Sequence, residues 1–317
     1  MKHRIPLPVV LSPLWALLTL GANVGCGSDG QAPPAEGPDQ TPGIHRTDAE
    51  VIFRTEDFTL QPGQERFVCY TQTLQEDTVI DGYTTAAKPF VHHVVFAKTS
   101  GTEPEGSSEC DVLFRFVWEP IFLSGAGSSE IDFPEGVGQV LPAGTRLLAQ
   151  LHLLNSSPNP VTDAAEIRMH PSPLTNPRPI KTYALGNFNV SLPPQSPATI
   201  ESVCNVPETV EFVAAFPHMH LMGTSFTFEL GPSADQLTKV FERNPYSFDN
   251  QRLELLNLKL FAGDVTRVTC NYQNTTDQTI TFGESTHNEM CFFVGFAVGR
   301  ENARGCIVGD FPGQLGE

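Results

Sequence analysis

The chain has 317 residues, enough for two domains of ordinary size. Hydrophobic residues make up 40% and charged residues 17%, so most of it can bury a core, and 27 Pro, 26 Gly and 22 Phe suit short strands joined by turns. A formal net charge of −17 argues against a nucleic-acid partner, which needs a basic surface to release counterions. Lys2 and Arg4, followed by the interrupted apolar stretch Leu7 to Leu20, read as an export signal over residues 1–25, too short and too broken for a membrane span. Gly25 before Cys26 resembles a bacterial lipoprotein cleavage box with Cys26 as the lipidated residue, although Asn23 stands where such boxes usually carry Leu. Ordinary secretion is the alternative; either route places the mature protein in the cell envelope or outside it. Residues 26–46 are rich in Pro, Gly and acid without periodicity and read as a disordered tether, with folded structure starting near Val51.

Strands are expected at Arg66–Thr71, Phe90–Ala97, Val112–Trp118, Arg146–Leu154, Val210–Phe216, Ser225–Leu230, Val265–Tyr272 and Met290–Val298, separated by turn clusters such as PAG, SSPNP and AGD. No amphipathic helix of three turns is visible. The fold class is all-β, an antiparallel sandwich or jelly roll. A composition break at Asn187–Pro197 divides the folded part into residues 47–186 and 187–317, and no close sequence repeat links them. Beyond Cys26 there are six cysteines, Cys69, Cys110, Cys204, Cys270, Cys291 and Cys306. An even number in an exported chain favours disulfides, and counting alone leaves the pairing open.

The nine histidines are unevenly placed. His218 and His220 stand at i and i+2, so on a strand both face one side and can converge on one ion; a half-exposed histidine pair is the plainer reading. His92 and His93 are adjacent and share a metal only if the backbone bulges there. His152, alone in an apolar run, reads by itself as a satisfied core residue rather than a ligand. Met290 precedes Cys291, and its thioether is a soft ligand that favours Cu(I), although methionine usually serves the core. His287 and His170 read as loop or structural residues, and His45 falls in the tether.

Taken in order, HH (His92, His93), QxH (Gln150, His152), HxH followed by Gly (His218, His220, Gly223), AGDxxxVTCxYxNTT (Ala262 to Thr276) and NEMC (Asn288 to Cys291) resemble the copper type II, ascorbate-dependent monooxygenases, the family of peptidylglycine α-hydroxylating monooxygenase and dopamine β-hydroxylase. The similarity covers roughly residues 50–308. It implies two tandem jelly-roll domains, each with one copper, facing one another across a solvent-filled cleft. His92, His93 and His152 would hold an electron-transfer copper. His218, His220 and Met290 would hold the copper at which O2 reacts. The resemblance further implies the pairs Cys69–Cys110, Cys204–Cys306 and Cys270–Cys291. Gln150 would share the strand face of His152 and could serve that site through a hydrogen bond.

The implied activity is hydroxylation of a C–H bond of a small organic substrate with O2 and a reductant such as ascorbate. Copper changes oxidation state by one, so two ions can store the two electrons the reaction needs. Peptide-amidating members carry Arg two residues before HxH and Tyr four residues after the Met. Here Phe216 and Val294 stand there, which removes a charge-assisted clamp and a hydroxyl, so a peptidylglycine substrate is not expected. A copper-binding lipoprotein for storage or delivery would use the same ligands without catalysis. A structural or adhesive sandwich with incidental histidines is the remaining alternative.

Overall fold

The strand Arg146–Leu154 (RLLAQLHLL) is apolar on both faces and is buried along nearly its whole length. Such a strand needs neighbours on both edges and both faces. It runs antiparallel between Glu65–Thr73 and Val91–Thr99, inside a five-stranded sheet closed at one edge by Trp118–Ser124. By contrast, Ser196–Asn205 alternates between buried and exposed residues, as a strand with one wet face should. It is an edge strand, which accounts for its Pro197. The computed structural model describes residues 41–309, apart from 48, 87, 111–114, 116, 126, 128, 284 and 299–304. Among these, strands dominate, and the helical element is a single 3-10 turn at Phe248–Asn250. The protein is an all-β sandwich. None of the described helices is long and apolar enough to cross a membrane.

Seven of the eight expected strands are present, most of them longer by one to three residues. Val112–Trp118 is the exception: the structure places a strand at Trp118–Ser124 instead, while residues 112–114 and 116 lie outside the described set. The apolar run continues through Ile121, Phe122 and Leu123, and an edge strand tolerates Pro120 where a central one would not. Pairing also begins earlier than expected. Gly43–Arg46 forms a hairpin with Val51–Arg54, with Ile44 packed on the core. The signal segment and Cys26 fall outside the described residues.

The two halves repeat one connectivity. In the N-terminal half one sheet runs Val51–Arg54, Glu166–Pro171, Thr78–Thr85, Val137–Leu141. In the C-terminal half the matching order is Arg178–Asn187, Cys291–Val298, Val210–His218, Glu254–Leu260. The second sheets match likewise: Glu65–Thr73, Arg146–Leu154, Val91–Thr99, Trp118–Ser124 against Ser196–Asn205, Val265–Asn274, Gly223–Gly231, Thr238–Arg243. The first pair of sheets fuse where Val137–Leu141 lies parallel to Arg178–Asn187. The described residues thus lie in one compact unit, and the expected boundary at 186/187 falls at the end of this joining strand.

Local details repeat as well. Gly144 and Gly263 occupy left-handed backbone, at φ +85° and +94°, in the turns that enter Arg146–Leu154 and Val265–Asn274. Their N–H groups donate to Leu74 O and Val206 O at 2.7 and 2.9 Å. At the far ends of these strands, buried Asn155 and Asn274 play one role. Each side chain donates to backbone carbonyls, Leu60 O and Asn159 O in one half, Leu192 O, Pro193 O and Gln278 O in the other. Each also accepts the N–H and hydroxyl two residues on, from Ser157 and Thr276.

Cys69–Cys110, Cys204–Cys306 and Cys270–Cys291 are disulfide-bonded. Replacing either Asn strands buried carbonyls, so Asn155→Ala and Asn274→Ala should each cost about 3 kcal/mol. Urea unfolding of the two variants checks this; a loss below about 1 kcal/mol would show the motif to be dispensable.

Candidate metal centre

His152 lies directly opposite His93 across the two central strands. The next pair is Leu153 with Val91, so His92 is the extra residue of a β-bulge. The bulge turns His92 to the side that His93 already faces, which an adjacent pair on a regular strand cannot do. One donor atom from each of His92, His93 and His152 lies within 4.8 Å of the others.

Hydrogen bonds fix which nitrogens are available. His152 Nε2–H donates to Glu65 Oε1 at 2.8 Å, leaving its Nδ1 lone pair facing His93 Nδ1 at 3.3 Å. His93 Nε2 and both ring nitrogens of His92 have no hydrogen-bond partner, although all are buried. Buried polar atoms left open in this way, converging on one point, are what a metal would satisfy. Phe67 stacks on His152 and Phe248 on His92, at 4.4 and 3.8 Å between centroids. Gln150 is fully buried, two residues before His152 on the same strand.

In the C-terminal half, His218 ends the strand Val210–His218 and His220 follows in a turn. His218 Nδ1–H donates to Gln251 Oε1 at 2.6 Å, and His220 Nδ1–H to Asn288 O at 3.1 Å. Both Nε2 lone pairs are thereby directed at each other, 3.2 Å apart. Two acceptors at that distance repel unless a cation stands between them, so these donors also fit a metal ion. Glu289 clamps the turn, accepting the N–H groups of His220 at 2.9 Å and Met222 at 2.6 Å. Met290 is fully buried, and its carbonyl accepts Tyr272 Oη–H at 2.7 Å.

The two donor sets adjoin. The His93 and His218 rings are 5.4 Å apart, both buried, where the resemblance implied a solvent-filled cleft. Close contacts hold this seam. A Cβ on Gly125 would lie 2.0 Å from Gln251 O, so glycine permits the approach of the residue that fixes His218. Phe216 and Val294 pair across their strands, and both join the core cluster that the N-terminal half supplies.

Burial dominates the electrostatics. It pushes His92 down to about 3 and His218 down to about 4, and holds His93 and His220 well below the ordinary imidazole range; neighbouring histidines add to the effect for all four, while the bond to Gln251 opposes it at His218. Neutral imidazole is the form that binds metals. Burial raises Glu289 to about 7 against the three backbone N–H groups that favour its charge.

Glu65, Phe248, Gln251, Asn288 and the clamp at Glu289 were not singled out from the sequence. Asn288 and Glu289 stand inside NEMC, so the motif marked the place without the role. The other histidines among the described residues are peripheral: His287 is exposed beside Thr286, His170 bonds Thr84 and lies 3.3 Å from Asp132, and His45 contacts Thr41 O.

Among solved structures the chain is similar to the major capsid protein P2 from bacteriophage PM2, at 10% identity over 79% of this chain and 99% of that one, with a TM-score of 0.33. It is also similar to a structure of infectious bursal disease virus Gx strain, at 9% identity over 85% and 76%, TM-score 0.22, and to PNGF-II, at 10% identity over 83% and 61%, TM-score 0.24. These scores are too low to bear on function. No curated protein matches the chain. Residues 181–303 match the family model described as copper type II ascorbate-dependent monooxygenase, C-terminal domain, a span that holds His218, His220, Gln251, Glu289 and Met290. Over residues 181–303 the chain is therefore similar to the C-terminal domain of the copper type II ascorbate-dependent monooxygenases.

Proposed function

We propose that the chain is a copper-dependent monooxygenase that hydroxylates a C–H bond of a small organic substrate, using O2 and a one-electron reductant such as ascorbate. The observation that carries this reading is the pairing of two buried donor sets, in which hydrogen bonds turn the free nitrogens of His152, His218 and His220 inward while buried ring nitrogens of His92 and His93 are left without partners. His92, His93 and His152 would form an all-nitrogen site for the electron-transfer copper. His218, His220 and Met290 would form the site where hydroxylation occurs. Bound copper would supply one-electron redox chemistry at both sites.

The protein's own part follows from its residues. Glu65, Gln251 and Asn288 hold the imidazoles in the tautomers that leave the inward nitrogens open. Phe248 and Phe216 exclude water from the rings they cover. Phe216 and Val294 give the surroundings of His218 an apolar character.

The same reading takes the halves, residues 47–186 and 187–317, as two tandem jelly-roll domains; the repeated strand order and the paired Asn motifs support it. It also takes the chain as exported, with Cys26 as a lipid anchor or the signal cleaved nearby, and the three disulfides suit an oxidising compartment. Storage or delivery of copper is the second reading, favoured by the full burial of His152 and His220.

Purified protein should hold about two coppers per chain and consume O2 when ascorbate is added. His218→Ala should lose one copper and lower O2 uptake at least about 100-fold. Tight copper binding with no ascorbate-dependent uptake would select the storage reading. Unchanged uptake in His218→Ala would remove the monooxygenase reading.

The histidines also set a pH dependence for the metal-free protein. Their folded pKa values lie below the unfolded value of about 6.5, so between about pH 4 and 6.5 the unfolded chain binds more protons. Stability therefore falls as pH drops through that window. Glu289 works in the opposite sense, since its raised value favours the folded state on acidification, but one carboxyl opposes four histidines. Unfolding free energy should fall by at least about 2 kcal/mol from pH 7 to pH 5. Denaturant titrations at both pH values would show it, and equal midpoints would contradict it.

A further inference from the structure

One carboxylate touches both halves of the centre. Glu65 heads the strand Glu65–Thr73, opposite Leu154 and two places from His152. Its Oε1 accepts His152 Nε2–H at 2.8 Å and Thr286 N–H at 3.3 Å, and its Oε2 accepts the Thr286 hydroxyl at 3.3 Å. Thr286 is buried and sits in the turn closed by Asn288 N–H to Ser285 O at 2.8 Å. From that turn Asn288 O accepts His220 Nδ1–H, and the next residue, Glu289, accepts the His220 N–H. A short run of hydrogen bonds and peptide units therefore leads from His152 to His220.

Resting on the copper reading above, we infer that Glu65 is a positioning residue for both donor sets. Through His152 it makes Nδ1 the nitrogen offered to an ion. Through Thr286 it anchors the turn that orients His220 and precedes Met290. A carboxylate suits this place because the three groups that meet it, one from His152 and two from Thr286, all donate, and it accepts at every lone pair. An amide would offer its own N–H groups to one of those donors. Since one side chain serves both sets, filling the N-terminal site and ordering the 285–290 turn are coupled, and the coupling is reciprocal.

The test uses the full chain. In a His218→Ala/His220→Ala background, which leaves the N-terminal donors intact, Cu(I) affinity is read by competition with a chromophoric chelator. Adding Glu65→Ala should weaken binding about 10–100-fold. Glu65→Gln, which keeps the size and one acceptor, should lose less and keep the unfolding midpoint; it carries the test if Glu65→Ala does not fold.

In the otherwise unaltered chain, Cu(I) should slow amide hydrogen exchange across residues 285–290. That slowing should shrink in both Glu65→Ala and Thr286→Val, while Thr286→Val leaves affinity at the N-terminal donors within about threefold. Parent-like affinity in the Glu65 variants, or full slowing in both Glu65→Ala and Thr286→Val, would overturn the inference. A wild-type chain that takes up no copper would instead sink the copper reading, so the two failures look different.

Discussion

Everything at the centre of this molecule follows from one electrostatic constraint, the cost of burying imidazole without a partner for each nitrogen. Five histidines are packed into one buried region, and burial denies at least four of them a proton. At His152, His218 and His220 the outward nitrogen is spent on a carboxylate, an amide or a backbone carbonyl. The inward lone pairs of His218 and His220 then face one another at 3.2 Å, close enough to repel, and that of His152 is turned toward His93 Nδ1 at 3.3 Å. A sandwich that needed only stability would fill such space with apolar side chains. The arrangement makes sense as a place kept for cations.

The seam between the halves is part of that place. Phe248 covers His92, Gly125 lets Gln251 approach, and Phe216 joins a core made mostly by the other half. Neither donor set is enclosed by its own half alone. The two sets meet because the joined sheet fixes the halves against each other through the strand Arg178–Asn187, which pairs with Val137–Leu141 on one side and Cys291–Val298 on the other.

Much of this could be read from the residues. For the adjacent histidines to share one ion the backbone had to bulge, and a bulge is there; the apolar run around His152 was expected as a strand, and it is one. The positions of Glu65, Gln251 and Phe248 could not be read, because each acts through a contact with a residue far along the chain, and cross-strand register leaves no local mark. Trp118–Ser124 was displaced for a related reason: Pro120 reads as a strand breaker unless the strand is known to be an edge. The doubling of the fold was hidden as well. It is visible in strand order, glycine turns and the paired asparagines, while the side chains between them differ.

The bulge itself is doubled. Where His92 is extruded between the pairs His93–His152 and Val91–Leu153, Thr224 is extruded between Ser225–Asn271 and Gly223–Tyr272. No histidine occupies the second kink, yet the backbone makes it. The kink under His92 thus recurs at the matching place of the second half without a histidine there, as a feature of the shared strand geometry. Acquiring or losing a metal at such a spot needs only a change of side chains on a frame already bent to receive them, and a pair of kinks leaves one copy at liberty to specialise.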